Sequence, residues 1–434
     1  MTRSKLATGG TILTLALLAS TTALPGQAVA TAPLAVKLTD PTKDPAAKVS
    51  ADPNLFGWQM FVYVNWPELS GNRGVPDSRG QLGQAGPTVW ESYKNVSEIY
   101  QANGQKPVAW EVDDELPTVS SLKAAISKER LAALGPVDSN WIHFLAEPVM
   151  IDGQQICDSA SRVIRYDVRS NRPYYDYVVN NISSHQLYNI EGQQAALADP
   201  NFVFSFPTDA VEVKASWRIL GANDDGSRYW TAIGVYYDNN HILRSSRIGL
   251  TGLHITSKVV PDWAWITFEQ VDNPTATYKW FLGQKGAALG PNPNFDTSLA
   301  PLNREMQQGL APTKWQYYAL MKVQIAYINP SNQPILMSNT QMETYFQSNS
   351  SCISCHNLAS IGNPQNSMQG LRLNVFYPLQ PYIGTIDFQA IANQQFPGES
   401  FKAMDFVWSL RNAHSVSATA HAQKHTVTPH TSSK

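Results

Sequence analysis

The sequence has 434 residues, with 32 Lys and Arg against 34 Asp and Glu and a formal net charge of -2 at pH 7. That balance, without any Lys/Arg cluster, excludes the basic stripe a nucleic-acid-binding chain needs to neutralise phosphates. Charged residues make up 15%, against roughly 25% in an average globular chain, and 43% hydrophobic content with twelve Trp excludes a disordered chain and supplies a large core.

Arg3 and Lys5 precede an apolar run from Ile12 to Ser20, and small residues then lead to Ala28-Val29-Ala30. This is the charge, apolar stretch and cleavage pattern of a secretory signal over residues 1–30. Its removal takes the net charge to -4. The run is too short to cross a bilayer, and no later stretch nears the roughly 18 consecutive apolar residues of a membrane helix. A soluble mature chain without a membrane span, periplasmic or secreted, is expected. Its length exceeds the roughly 250–300 residues at which one core stops growing, so two or three domains are expected. Three cysteines, Cys157, Cys352 and Cys355, are too few for a disulfide framework in an exported chain of this size.

Residues 31–53 are rich in Ala, Pro, Thr and Lys without apolar periodicity and read as a linker. Order begins at NLFGWQMFVYVNWPEL, whose apolar residues fit neither the helical nor the strand period, leaving its type open. Gly71 to Gly86 is a polar, Gly-rich surface loop. Ser120 to Leu134 places Leu122, Ile126, Leu131 and Leu134 near one stripe and predicts a helix ended by Gly135 and Pro136. In AVEVKASWRIL, Val211, Val213, Ala215, Trp217 and Ile219 alternate with polar residues, the pattern of a sheet with one wet face. YWTAIGVYYD is apolar on both faces and suits a central strand. GLTGLHITSKV and WAWITFEQVD, joined through Pro261 and Asp262, predict a hairpin, and ATYKWFLG a further strand.

Beyond Pro301 the pattern turns helical: LNREMQQGL, then TKWQYYALMKVQIAYI, apolar all round and hence a buried helix. Thr340 followed three residues later by Glu343 is a capping box, predicting a helix that leads into the cysteines. Past Asn412 large apolar residues run out. The expected organisation is a signal peptide (1–30), a linker (31–53), a β-rich domain with helices and an antiparallel sheet (54–335), a small helical c-type haem region (336–412) and a disordered tail (413–434). The fold class is α+β.

Cys352-Ile-Ser-Cys355-His356 is the C-x-x-C-H pattern of covalent haem attachment. Positions i, i+3 and i+4 share one face of a helical turn, so both thiols meet the porphyrin vinyls while the imidazole reaches the iron. A zinc site needs further ligands at suitable spacing, and a redox dithiol needs a thioredoxin-like setting; neither is present around the motif. The expected cofactor is therefore one covalent haem c, with Cys352, Cys355 and His356 binding it and His356 as proximal iron ligand. The sixth position separates closed, electron-transferring haem from an open site. Met404, 48 residues beyond His356, is one candidate and Met368 another, with His414 behind them; the plain alternative for either Met is core filling.

Four separated segments, GWQMFVYVNWP, AVEVKASWRIL, GLTGLHITSKVVPDWAWITFEQVDNP and NTQMETYFQSNSSCISCHNLA, carry a resemblance. In their order, from Gly57 to roughly Arg411, the chain resembles bacterial proteins described as cytochrome c family proteins. The resemblance implies an exported protein with one haem site, Cys352, Cys355 and His356 matching its motif residue by residue; it lends no support to Met404.

A second candidate site lies in the hairpin. If Thr267 stands opposite His254, then Trp265 and Glu269 share that histidine's sheet face. His254 would then pass protons and Glu269 orient it, in a substrate or distal-haem pocket. The alternative is a satisfied core histidine beside an exposed glutamate. Cys157 reads as a buried thiol.

The functional expectation is electron transfer to a redox partner protein. The segment before the haem motif is far longer than a carrier needs. This leaves two alternatives: a haem-dependent oxidoreductase (oxidase-, peroxidase- or dioxygenase-like) acting on a small-molecule substrate, and a haem-based sensor.

Overall fold

The computed structural model describes residues 36–43, 45–112, 134–146, 150–151, 154–155, 163–180, 185–221, 224–273, 294–343, 347, 350–362 and 387–416. The signal peptide, most of the predicted 120–134 helix, the ATYKWFLG strand, Cys157 and Met368 lie outside the described residues. The architecture is α+β.

Helix α1 (Pro45–Ala51) falls in the stretch read as linker, yet Val49 is fully buried and Val36 and Leu38 pack against the same core. Three well-placed aliphatic side chains outweigh a composition that looks unstructured. Helix α2 (Pro53–Val64) resolves the ambiguous NLFGWQMFVYV segment. Asp52 caps it by accepting from the Asn54 and Leu55 amides, both at 3.0 Å, and Pro53 occupies the first turn, where its missing N–H costs nothing. Phe56, Trp58, Met60, Phe61, Val62 and Val64 are all buried, so no polar face exists to reveal the 3.6-residue period. Gly57 is needed where the helix crosses the sheet, since a Cβ there would stand 2.7 Å from Val323 Cγ2.

The main sheet contains β1 (Lys94–Asn95), β2 (Ile142–Phe144), β5 (Ile164–Ser170), β6 (Val211–Ile219), β7 (Thr231–Tyr237), β8 (Leu243–Ser257), β9 (Ala264–Gln270) and β10 (Tyr318–Gln324); β3 (Met150–Ile151) and β4 (Gln154–Gln155) form a separate small hairpin. The order is β1-β5-β6-β8-β7-β2, with β9 on β8 and β10 on β9, and only β2 and β7 run parallel. Strand β8, 15 residues long, is the fork. Its first half pairs with β7 and its second half with β9 on the same edge, while β6 pairs along the other edge. The register slips between Ser216 and Trp217 at the branch, a bulge that lets the sheet bend there.

Strand β10 corrects the sequence reading. A short 3-10 turn over Lys314–Tyr317 leads into an edge strand on β9, not a buried helix. A run apolar on every face carries no period, and the open edge of β9 supplies the pairing that decides its conformation. LNREMQQGL does form a helix within Ala300–Leu310. The expected cap at Thr340 shifts by one residue. Asn339 accepts from the Gln341 amide at 2.9 Å, and Glu343 accepts from the Asn339 amide at 2.7 Å; residues 340–342 make a turn.

One face of the sheet carries the aromatic core, with Trp58 and Phe61 of α2 against Phe268 at ring separations of 4.8 and 4.2 Å. The C-terminal segment covers the other. Asn339 Nδ2 donates to Thr267 Oγ1 (3.0 Å) and the Phe268 carbonyl (2.9 Å), and Tyr166 Oη donates to the Gln341 carbonyl at 2.9 Å. Past Asn412 the chain stays tied down as far as Val416, where Ser415 and the Val416 amide bond Glu191.

Candidate functional site

Helix α3 (Cys352–His356) is a single turn, and neighbouring strands pin it. Gln324, at the end of β10, accepts from the Ile353 amide at 3.2 Å and donates to Ser351 Oγ at 3.0 Å. Ile353 is fully buried, Cys352 is 8% exposed and Cys355 is half-buried. Trp408 Nε1 donates to the Cys355 carbonyl at 3.1 Å. The motif residues therefore emerge from one fixed turn, as attachment of a single rigid ligand requires.

His356 Nδ1 lies 2.8 Å from the Phe406 carbonyl oxygen. A carbonyl only accepts, so Nδ1 carries the proton and Nε2 presents its lone pair. Burial pushes the imidazole pKa down to about 4, the Phe406 carbonyl opposing and the Lys214 charge reinforcing the shift. The ring is thus neutral and fit to bind a metal near neutral pH. It packs on Trp265, with centroids 4.4 Å apart at 48°.

The carbonyl that fixes His356 sits in a tight turn. Asp405 and Phe406 have φ of 48° and 68°, and the Val407 amide closes onto the Met404 carbonyl at 2.9 Å, a type I′ turn built without glycine. Left-handed conformations at such residues cost about 1–3 kcal/mol each and persist only where the surroundings hold them. Here Asp405 accepts from Lys258 Nζ at 2.6 Å and from the Phe206 amide at 2.8 Å.

A cavity of about 440 Å³ opens between α3 and the sheet, within the size range of small-molecule and cofactor sites. Cys352, Cys355 and His356 form one wall. The opposite wall is the face of β6 read as wet: Val168, Lys214, His254 and Thr267 stand in one cross-strand row, and Glu212, Thr256 and Trp265 in the next. Its polar residues therefore line a cavity. Lys214 Nζ lies 4.5 Å from the centre of the Tyr166 ring, and Arg411 is exposed at the rim.

Thr267 does stand opposite His254, and His254 and Trp265 line the same cavity. Glu269 serves elsewhere. Its carboxylate accepts from Thr340 N at 2.8 Å and Thr340 Oγ1 at 2.7 Å. The carboxylate near His254 is Glu343, 3.6 Å from Nε2, a separation too long for a hydrogen bond. Burial raises the Glu343 pKa to about 7, against the lowering charge of Lys214. Burial, helped by the charges of Lys214 and His356, pushes His254 well below its ordinary value. With the imidazole neutral, the two groups are not an ion pair. His254 Nε2 is buried without a hydrogen-bond partner among the described residues.

Met404 is fully buried in the core just after the short strand Phe401–Ala403, with its amide bonded to the Ala359 carbonyl at 2.8 Å, and it is not among the cavity's lining residues. Met337, 1% exposed, lines the cavity instead. His414 is exposed and bridges to Asn189. Sequence reading missed Met337 and Lys214; Lys214 carried one signal, its place on the polar face of an amphipathic strand.

Two thiols, an imidazole with a presented Nε2, aromatic and aliphatic walls, and cations at Lys214 and Arg411 suit a porphyrin with two carboxylates. Among the described residues no group of three or more His, Cys, Asp or Glu could hold a bare metal ion, and no helix is long and apolar enough to cross a membrane.

A second charged cluster lies on the opposite face of β5. His143 donates through Nδ1 to Asp167 at 2.6 Å and through Nε2 to Glu91 at 3.0 Å, and Arg169 Nε donates to Asp167 at 2.8 Å. His143, Glu91 and Asp167 are at most 1% exposed. Burial opposes protonation of His143, but the two carboxylates raise its pKa overall; burial would raise Asp167, but Arg169 and His143 hold it down to about 2. Sealed from solvent and paired throughout, this cluster is structural.

No protein-family model matches the chain, and no curated protein and no solved structure matches it either.

Proposed function

We propose that the protein is an exported monohaem c-type cytochrome that transfers electrons to a redox partner protein. In this reading Cys352 and Cys355 hold the porphyrin as thioethers and His356 Nε2 binds its iron. The single observation that supports it most is the hydrogen bond from His356 Nδ1 to the Phe406 carbonyl. Proximal histidines are oriented in this way, with one nitrogen anchored to backbone and the other left for the metal. The haem supplies one-electron iron chemistry; the chain supplies orientation and charge. Trp265 and the strained 404–407 turn fix the plane of the imidazole, desolvation keeps it unprotonated, and Lys214 and Arg411 offer positive charge to the porphyrin carboxylates.

The test is a reduced pyridine-haem spectrum of protein matured in a host that attaches haem c, with pigment retained through acidified acetone as the expected result. Colourless protein from such a host overturns the reading. The ionisable groups within the cavity, Glu343 and His254 above all, favour a second reading, a haem-dependent oxidoreductase with a substrate pocket on the sheet side. Carbon monoxide separates the two: a carrier with both axial positions filled refuses it, and an open enzyme binds it.

A further inference from the structure

We propose that His254 is the second axial ligand, closing the iron on the side away from His356. The inference rests on the haem reading and deepens it. After Cys352, Cys355 and His356 are assigned, the uncharged nitrogen and sulfur donors among the described cavity-lining residues are His254 and Met337, with the Trp indoles donating only N–H.

Three observations select His254. Its Nε2 is buried and has no hydrogen-bond partner among the described residues, an arrangement costly to leave unmet unless something absent from the chain meets it. Its nearest charged neighbours do not bond Nε2: Glu343 stands off at 3.6 Å, and its own carboxylate is engaged by the Asn339 amide. Finally, His254 lies in the second half of β8, paired on both sides to Lys214 and Thr267, so its backbone is fixed by both neighbouring strands. Trp265, on the same face one strand over, packs directly on His356 and keys the two histidines to one rigid surface. Met337 is tethered differently. Its amide bonds the Ser350 carbonyl at 2.9 Å, which ties its backbone to the segment just before the residues that would carry the thioethers.

The experiment uses the full matured chain. Wild-type protein is expected to be low-spin in both oxidation states by absorption and electron paramagnetic resonance, with a near-infrared charge-transfer band of the bis-imidazole kind, and to refuse carbon monoxide. His254→Gly is expected to keep the same covalent haem content, turn high-spin when reduced, go from no carbon monoxide binding to stoichiometric binding, and regain the low-spin spectrum on adding imidazole. His254→Gln carries the same test should the glycine variant fail to accumulate. A high-spin or carbon-monoxide-binding wild type overturns the proposal, as does a thioether-type band or a His254 variant that stays low-spin without added imidazole. Loss of covalent haem from wild type is a separate result that defeats the haem reading itself.

Discussion

Lys258 and Asp405, 147 residues apart, meet at 2.6 Å, with their side chains 10% and 8% exposed. This pair anchors the turn whose next carbonyl, that of Phe406, orients His356. Breaking one side of a buried pair leaves an uncompensated charge at a cost of about 3–5 kcal/mol. Lys258→Met is therefore expected to lower unfolding free energy by about 3 kcal/mol in denaturant titrations and to broaden the iron spectrum of the matured protein. An unchanged midpoint and unchanged spectrum would show that the turn holds without the pair.

Under the haem reading, covalent attachment divides between Cys352 and Cys355. Cys352→Ala and Cys355→Ala are each expected to reduce haem staining on denaturing gels, and the double variant to abolish it. His356→Ala is expected to retain some stain while losing the native low-spin spectrum. Full staining of the double variant would contradict the assignment of the thiols.

Lys214 places a positive charge against the cavity. A cation favours the reduced, less positive iron, so Lys214→Gln is expected to lower the midpoint potential by roughly 60 mV, the one-electron equivalent of a tenfold change in equilibrium constant. Potentiometric titration checks both sign and size.

Glu343 titrates near neutrality, at about 7. As pH rises through this value the carboxyl ionises and favours oxidised iron, so the potential is expected to fall between about pH 6 and pH 8. Glu343→Gln removes that slope. A wild-type potential flat over the same window would contradict the effect.

The Glu91–His143–Asp167–Arg169 cluster couples stability to pH at both ends. Asp167 has its pKa lowered to about 2 from 3.8, so its contribution is present above the unfolded value and is lost as pH falls from about 4 towards 2. His143 is raised above 6.5, so its contribution is complete below that value and is lost as pH rises through the folded one. Asp167→Asn is expected to cost about 4 kcal/mol near neutral pH. Chemical denaturation across pH reads both limbs.

Local periodicity made the β6 strand and the β8–β9 hairpin readable in the sequence, because each has one face in the core and one against polar groups. That pattern fixes which residues share a face; the register that puts Thr267 opposite His254 is one pairing it allows, and the one the sheet adopts. Strand β10 was not readable: its type is decided by a vacant edge elsewhere in the sheet. Partner choice was equally hidden. Glu269 and Glu343 are both carboxylates within reach of the hairpin, and only the path of residues 339–343 turns one towards Thr340 and the other towards His254. The acceptor for His356 is a backbone oxygen, and its left-handed turn has no glycine to announce it.

The snug enclosure of Cys352 has a consequence for biogenesis. In the finished fold its thiol is pushed far above its ordinary pKa by burial, and its turn is held by the Trp408 segment, which is synthesised after the motif. A bulky macrocycle arriving after that segment had packed would meet a protonated, unreactive sulfur on the cavity wall. Under the haem reading, maturation is thus a race: the ligation machinery must act on a nascent or half-assembled chain, and faster closure of the C-terminal flank yields more permanently colourless protein.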